Sequence, residues 1–122
     1  MSLVMARQLA ALDTGLTGVT HVEWSEDGST VSSKLAATAV TLESAVDSGA
    51  GYARKGIDVA SPPQLTAASS SAGTITHWRF TTAASGGTAR TSWNALTSAA
   101  VLALGGQISL ADAALYEKLT AV

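Results

Sequence analysis

The sequence predicts a mainly β domain, an antiparallel β-sandwich or barrel with one short helix at its N-terminus. Turn-forming residues recur about every 8 to 15 positions, and β-branched residues fill the runs between them. This spacing is typical of antiparallel strands joined by turns and leaves little room for the helices of βαβ units. The 122 residues amount to one domain, with the helix over residues 1–14 and the β-sandwich over residues 19–122.

The N-terminal helix is predicted from one apolar stripe. Met5, Leu9 and Leu12 follow one another at spacings of four and three residues, and Gly15 ends the pattern. A helix of about ten residues is not stable alone in water. We therefore expect it to cover an edge or an end of the sheet.

The first strands are predicted from alternation. Val22 and Trp24 alternate with more polar neighbours, so residues 19–24 form a strand with one apolar face, and the Asp27-Gly28 pair marks the turn after it. Residues 35–42 form a second strand by the same pattern.

The middle of the chain is predicted as a loop over residues 44–51, a strand over residues 52–59 and further loops after it. Gly56 within that strand indicates a bulge or a close backbone contact. Pro62 and Pro63 end the strand, since proline cannot donate to a ladder, and residues 67–73 form a loop.

The clearest strand is predicted over residues 73–82, where Trp78 and Phe80 face away from Ile75. Turns are expected at Ser85-Gly86-Gly87 and at Gly105-Gly106, with short strands over residues 88–93 and 97–104 divided by Asn94. Residues 109–122 fit a capped helix by propensity and two strands by alternation, and both interpretations stay open at this point.

Composition excludes several function classes. The chain has no cysteine and a net charge of −2, so disulfide scaffolds, zinc–thiolate sites and nucleic-acid binding are not expected. No apolar run is long enough for a membrane span, and the N-terminus has no apolar core of a signal peptide. Alanine, serine and threonine fill 54 of 122 positions and charged residues only 13%. Such a weakly charged surface is tolerated in packed filaments, coats and adhesins.

No enzymatic constellation is visible. His21 and His77 invite a metal or catalytic hypothesis, but zinc needs at least three ligands with second-shell support, and each histidine follows a threonine that can bond it locally. No Gly-x-Ser-x-Gly elbow is present. We therefore expect a non-enzyme without a cofactor or metal.

The three tryptophans suggest different roles. Trp24 and Trp78 lie on apolar strand faces and are predicted to be core residues. Trp93, between Ser92 and Asn94 after a turn, is the candidate for exposure, where it would contact a sugar ring or a partner protein.

Five short motifs occur in an order that resembles a known family. They are Thr20-His21-Val22, Gly51-Tyr52-Ala53-Arg54, Thr76-His77-Trp78, Ala84-Ser85-Gly86-Gly87-Thr88, and the closing part from Leu96-Thr97-Ser98 through Gly105-Gly106-Gln107-Ile108. Together they resemble the small tail-fibre-like, or minor tail, proteins of tailed bacteriophages and prophages. The family's Pro-Gly loop and Asn-Glu pair are missing, and residues 29–42 stand in their place.

The resemblance implies a virion structural protein of the phage tail, made in the bacterial cytoplasm without a signal peptide and contributing to host-surface recognition. Its partners would be other virion proteins and a host-surface glycan or protein. The closing residues would be strand, turn and strand, with the turn over residues 111–114. The alternative function is a bacterial β-sandwich module that binds carbohydrate or protein.

The family motifs would be structural: Thr20, His21, Val22, Gly51, Tyr52, Ala53, Arg54, Thr76, His77, Gly86 and Gly87. Within them, Tyr52 and Arg54 stand two residues apart on one strand face, so we expect the arginine stem to pack over the tyrosine ring. The scarcity of charge and the resemblance together predict a closed homo-oligomer, with a trimer favoured.

Overall fold

The structure is a computed structural model that describes residues 3–57, 64–66, 72–102, 107–109 and 115–119. Within these residues, one helix precedes nine strands: α1 (Leu3–Gly15), β1 (His21–Ser25), β2 (Thr38–Ala39), β3 (Val46–Asp47), β4 (Ala53–Gly56), β5 (Gln64–Thr66), β6 (Gly73–Thr81), β7 (Asn94–Leu102), β8 (Gln107–Ser109) and β9 (Tyr116–Leu119). The predicted fold class, mainly β with a short N-terminal helix, is confirmed.

The strands form three antiparallel groups. A four-stranded sheet has the order β2-β1-β6-β7, a three-stranded sheet has the order β3-β4-β9, and β5 pairs with β8. All of the strand pairs are antiparallel. The first two sheets contribute to one hydrophobic core, as in a β-sandwich.

The main core forms on the inner face of the four-stranded sheet. Val22 lies opposite Phe80 and Trp24 opposite Trp78 across β1 and β6, and all four side chains are buried. The rings of Trp78 and Phe80 meet edge to face with centroids 4.8 Å apart. Ile57, which follows β4, and Leu115, which precedes β9, belong to the same core. The predicted core role of Trp24 and Trp78 is confirmed.

Ile75 corrects the predicted alternation of β6. On a regular strand it would face away from Trp78, yet both residues are buried in the same core. The pairing of β6 with β7 shifts register between Ile75 and His77, in the same part of β6 where burial departs from strict alternation. A single strand therefore supplies the core on both sides of the irregularity.

Helix α1 covers the inner face of the three-stranded sheet at one end. Met5 and Leu12 are buried against Ala53 of β4, and Leu9 and Leu119 pack against the same cluster. This confirms the apolar stripe and the prediction that the helix covers a sheet.

Several predicted boundaries are wrong. The predicted strand over residues 35–42 is reduced to β2, followed by a bridge from Leu42 to Ile57, and the predicted loop over residues 44–51 contains β3. Asn94 begins β7 instead of dividing two strands, and within residues 88–93 the only bridge is at Ala89.

The closing residues contain strands, β8 and β9, as the resemblance implies. The predicted breaks and turns at residues 61–63, 67–71, 105–106 and 111–114 lie outside the described residues.

Candidate functional site

The outer face of the four-stranded sheet carries its polar side chains. Across β1 and β6, His21 lies opposite Thr81, Glu23 opposite Arg79, and Ser25 opposite His77. Successive side chains of a strand point to opposite faces, so these three pairs lie on the side away from Val22 and Trp24. The outer face is thus a row of polar pairs.

Trp93 joins the central pair of this row. Arg79 forms an ion pair with Glu23, and its guanidinium carbon lies 4.1 Å from the centroid of the Trp93 ring. The two charged side chains are only 26% and 15% exposed, and Trp93 is half-buried rather than fully exposed. A fixed ring beside a donor-rich cation and a carboxylate is chemistry suited to a polar ligand such as a sugar. We call Glu23, Arg79 and Trp93 the Trp93 stack.

The two histidines make the same local contact. A hydrogen bond joins Thr20 Oγ1 to His21 Nδ1 at 2.8 Å, and another joins Thr76 Oγ1 to His77 Nδ1 at 2.7 Å. His21 and His77 lie at opposite ends of the β1–β6 pairing. Among the residues that the structure describes, no group of three or more His, Cys, Asp or Glu side chains could hold a metal ion.

The turn after β1 closes over His77. Asp27 accepts hydrogen bonds from the backbone N–H groups of Thr30 and Ser29 and from the Ser25 hydroxyl, and these bonds hold the pKa of its carboxyl well below its usual value. Gly28 has φ of +76°, and a Cβ atom there would lie 3.0 Å from the His77 ring. The predicted turn is confirmed, and it needs glycine for both reasons.

The Gly51-Tyr52-Ala53-Arg54 motif leads the chain into β4, the central strand of the three-stranded sheet. Gly51 has φ of +89°, and Ala53 is buried under α1. Arg54 lies on the opposite, outer face of β4, and Tyr52 precedes the strand. The motif therefore turns the chain and places one small residue under the helix.

The charged ends of Arg54 and Lys118 each contact a tyrosine ring across the β4–β9 pairing. The Arg54 guanidinium lies 5.8 Å from the centroid of Tyr116, and the Lys118 ammonium lies 5.3 Å from the centroid of Tyr52. A hydrogen bond to Tyr52 raises the pKa of Tyr116 above its usual value. We call these four residues the tyrosine–cation cluster.

The Gly86-Gly87 motif lies in the loop between β6 and β7. Gly86 has φ of +69°, and a Cβ atom on Gly87 would lie 2.6 Å from the Ala83 nitrogen. The Thr88 N–H donates to Thr82 Oγ1 at 2.8 Å, which closes the loop. Both glycines are required by the backbone of the turn.

Comparison with protein-family models, curated proteins and solved structures finds no match to this chain. No helix in the described part of the chain is long and apolar enough to cross a membrane.

Sequence reasoning missed Glu23 and Arg79 as a unit, and it missed Tyr116 and Lys118 altogether. The alternation of β1 and β6 could have placed Glu23 and Arg79 on outer faces. No signal in the sequence gives the pairing of β4 with β9.

Proposed function

We propose that this chain is a tail-fibre-like structural protein of a phage or prophage virion that contributes to host-surface recognition. The observation that carries the proposal is the order of the five motifs along nearly the whole chain, four of which lie among the described residues and shape strands or turns there. The two Thr-His motifs make the same hydrogen bond in the two central strands, β1 and β6. Gly51 and Gly86 of the glycine motifs occupy turns with positive φ. A motif set of this kind preserves a scaffold and leaves the contact surface free to vary.

The Trp93 stack is the surface that we assign to recognition. Its ring is held by Arg79, and Arg79 in turn is held by Glu23, so little conformational freedom is lost when a ligand binds. The proposed partners are other virion proteins and a host-surface glycan or protein. We further propose that the chain works as a closed homo-oligomer, with a trimer favoured.

Detection of the chain in purified particles tests the virion proposal. Prophages are induced in the source bacterium, particles are banded on a density gradient, and peptides of this chain are sought by mass spectrometry. We expect the peptides to co-sediment with tail proteins, and the gene to be flanked by tail-assembly genes. A chain that is expressed but stays in the particle-free fraction, with metabolic genes beside it, would overturn the proposal.

A carbohydrate- or protein-binding module is the second candidate, and the Trp93 stack favours it. A glycan array probed with the purified chain should give a ligand whose binding is lost in Trp93→Ala. Arg90→Ala is the matched control, because Arg90 is exposed and no ion pair of it is found among the described residues. An array without signal, or equal binding by both variants, would count against this function.

A further inference from the structure

Two cations lie directly opposite each other on the outer face of the three-stranded sheet. Arg54 of β4 is the register partner of Lys118 of β9. Like charges at directly opposite positions destabilise an antiparallel pair. Within the ranges that the structure describes, neither has a carboxylate partner, whereas Lys34, Lys55 and Arg79 each pair with an acid. The chain has a net charge of −2, so acids are available, yet these two neighbouring cations are not paired with any acid in the described ranges.

The side chains of the pair are held in place by aromatic rings. Arg54 lies over Tyr116 and Lys118 over Tyr52, so the two contacts cross the strand pair diagonally. Each cation is therefore oriented by a ring before any ligand arrives, which reduces the entropy lost on binding.

The tyrosine–cation cluster lies on the face of the three-stranded sheet that points away from α1. Ala53 and Leu119 are the next register pair beside Arg54 and Lys118. Their side chains pack in the hydrophobic cluster beneath α1. By alternation, Arg54 and Lys118 point the other way. Lys118 is exposed, and Val46, the partner of Arg54 on β3, is 39% exposed. The Lys118 side chain is thus open to solvent, and Arg54, its register partner, is half-buried.

We propose that the tyrosine–cation cluster binds a phosphate group, either free or as a monoester on a saccharide. A guanidinium matches two phosphate oxygens with two N–H groups, and a neighbouring ammonium neutralises the second negative charge. Either Tyr52 or Tyr116 can donate one further hydrogen bond from its phenol hydroxyl. The tyrosine ring faces are already occupied by the cations, so the ligand is recognised through its charge and not by stacking.

The negative net charge of the chain favours a compact anion over a long polyanion. A polyanion would meet repulsion from the rest of the surface, whereas one phosphate group interacts with the local pair. This site lies on a different sheet from the Trp93 stack. It can be tested whether or not the chain belongs to a virion.

A titration followed by ¹H–¹⁵N correlation spectra tests the site. Inorganic phosphate, glucose 6-phosphate, glucose and acetate are added separately to the full chain at neutral pH and constant ionic strength. We expect saturable shifts of the Arg54 and Lys118 amide signals with the two phosphates, none with glucose, and weaker binding of acetate. Tighter binding of glucose 6-phosphate than of phosphate supports a saccharide ester as the ligand, and equal binding supports the phosphate group alone.

Charge-removing variants complete the test. Arg54→Gln and Lys118→Gln should each weaken phosphate binding about tenfold or more, since each removes a charge-assisted contact. Arg90→Gln makes the same charge change elsewhere and should leave the affinity unchanged. The spectra of all variants report whether they are folded. Linear shifts without saturation in the unmodified chain, or equal weakening by Arg90→Gln, would overturn the proposal.

Discussion

Gly56 lies directly opposite Tyr116, and a Cβ atom on Gly56 would come within 2.6 Å of the Tyr116 Cβ and 2.7 Å of the Leu115 carbonyl oxygen. Real Cβ atoms do not approach other heavy atoms so closely, so no side chain fits at this position without a backbone shift. The empty position leaves room for Tyr116 on the outer face. One half of the tyrosine–cation cluster thus depends on a glycine in the neighbouring strand.

Gly56→Ala is expected to destabilise the fold by about 1–3 kcal/mol, because the new methyl group forces β4 and β9 apart. Thermal unfolding followed by circular dichroism measures the change. Gly15→Ala is the matched control, because no atom lies within 4 Å of a Cβ atom there and its φ is not positive. The control should be neutral or slightly stabilising at the end of α1. Equal melting temperatures for both variants would contradict the explanation.

The sequence predicted that Gly56 marks a bulge or a close backbone contact, and the close contact is confirmed, since β4 and β9 pair without a register shift. It could not give the partner, because Tyr116 lies sixty positions further along the chain, in a segment that also fitted a helix. Alternation within one strand is a local property of the sequence, whereas register between distant strands depends on tertiary packing. For the same reason Tyr52 was predicted as the partner of Arg54 on adjacency alone.

Arg79→Ala is expected to cost about 1–3 kcal/mol, since it leaves the Glu23 carboxylate without its charged partner in a half-buried place and uncovers Trp93. Lys34→Ala breaks the pair with Glu26, whose side chains are 36% and 31% exposed, and should cost less than about 1 kcal/mol. Urea unfolding of both variants gives the comparison. An equal loss of unfolding free energy in both variants would show that the Glu23–Arg79 pair stabilises the fold no more than the Glu26–Lys34 pair does.

Strand alternation predicted most of the buried residues of β1 and β6. Val22, Trp24 and Phe80 were placed in the core by alternation alone, and the structure buries all three. Ile75 departs from this pattern, since it is buried in the same core as Trp78, and the register shift beside it has its extra residues in the partner strand β7. The alternation of apolar and polar residues along one strand gives no indication of a bulge in the strand that pairs with it.

Glu117→Gln is expected to stabilise the chain at neutral pH. Burial raises the pKa of the Glu117 carboxyl, and the hydrogen bond from Asn94 Nδ2 only partly offsets this. Lys55 lies opposite Glu117 but is bonded to Asp13 at 2.6 Å. Because the folded state raises this pKa, the folded chain binds the proton more tightly, and stability falls as the pH rises through the folded pKa.

Thermal unfolding from pH 3 to pH 8 tests this sign. Glutamine keeps the shape and a hydrogen-bond acceptor for Asn94 without the charge, so the variant should lack the decline. The gain at neutral pH should be less than about 1 kcal/mol, because the carboxylate is only half-buried and solvent screens it. The difference should disappear below the ordinary carboxyl pKa of 4.5. A variant that is less stable than the unmodified chain at neutral pH would reverse the assignment.

The proposed homo-oligomer has a specific candidate interface, the free edge of β7. This strand is nine residues long, carries no charged residue, and ends the four-stranded sheet; no described strand pairs with its other edge. Long uncharged edges of this kind pair readily with another strand, and monomers usually protect them with charges.

Light scattering at micromolar concentration tests this interface, and the unmodified chain should give three times the 12.2 kDa chain mass. Val101, which is 76% exposed on β7, is the test position: Val101→Lys should reduce the mass to that of one chain, because a charge on the edge opposes pairing. Val31→Lys adds the same charge to another exposed valine, in the segment between β1 and β2, and should leave the oligomer intact. A mass near 12 kDa for the unmodified chain would rule out the oligomer, and loss of the oligomer in both variants would rule out β7 as its interface.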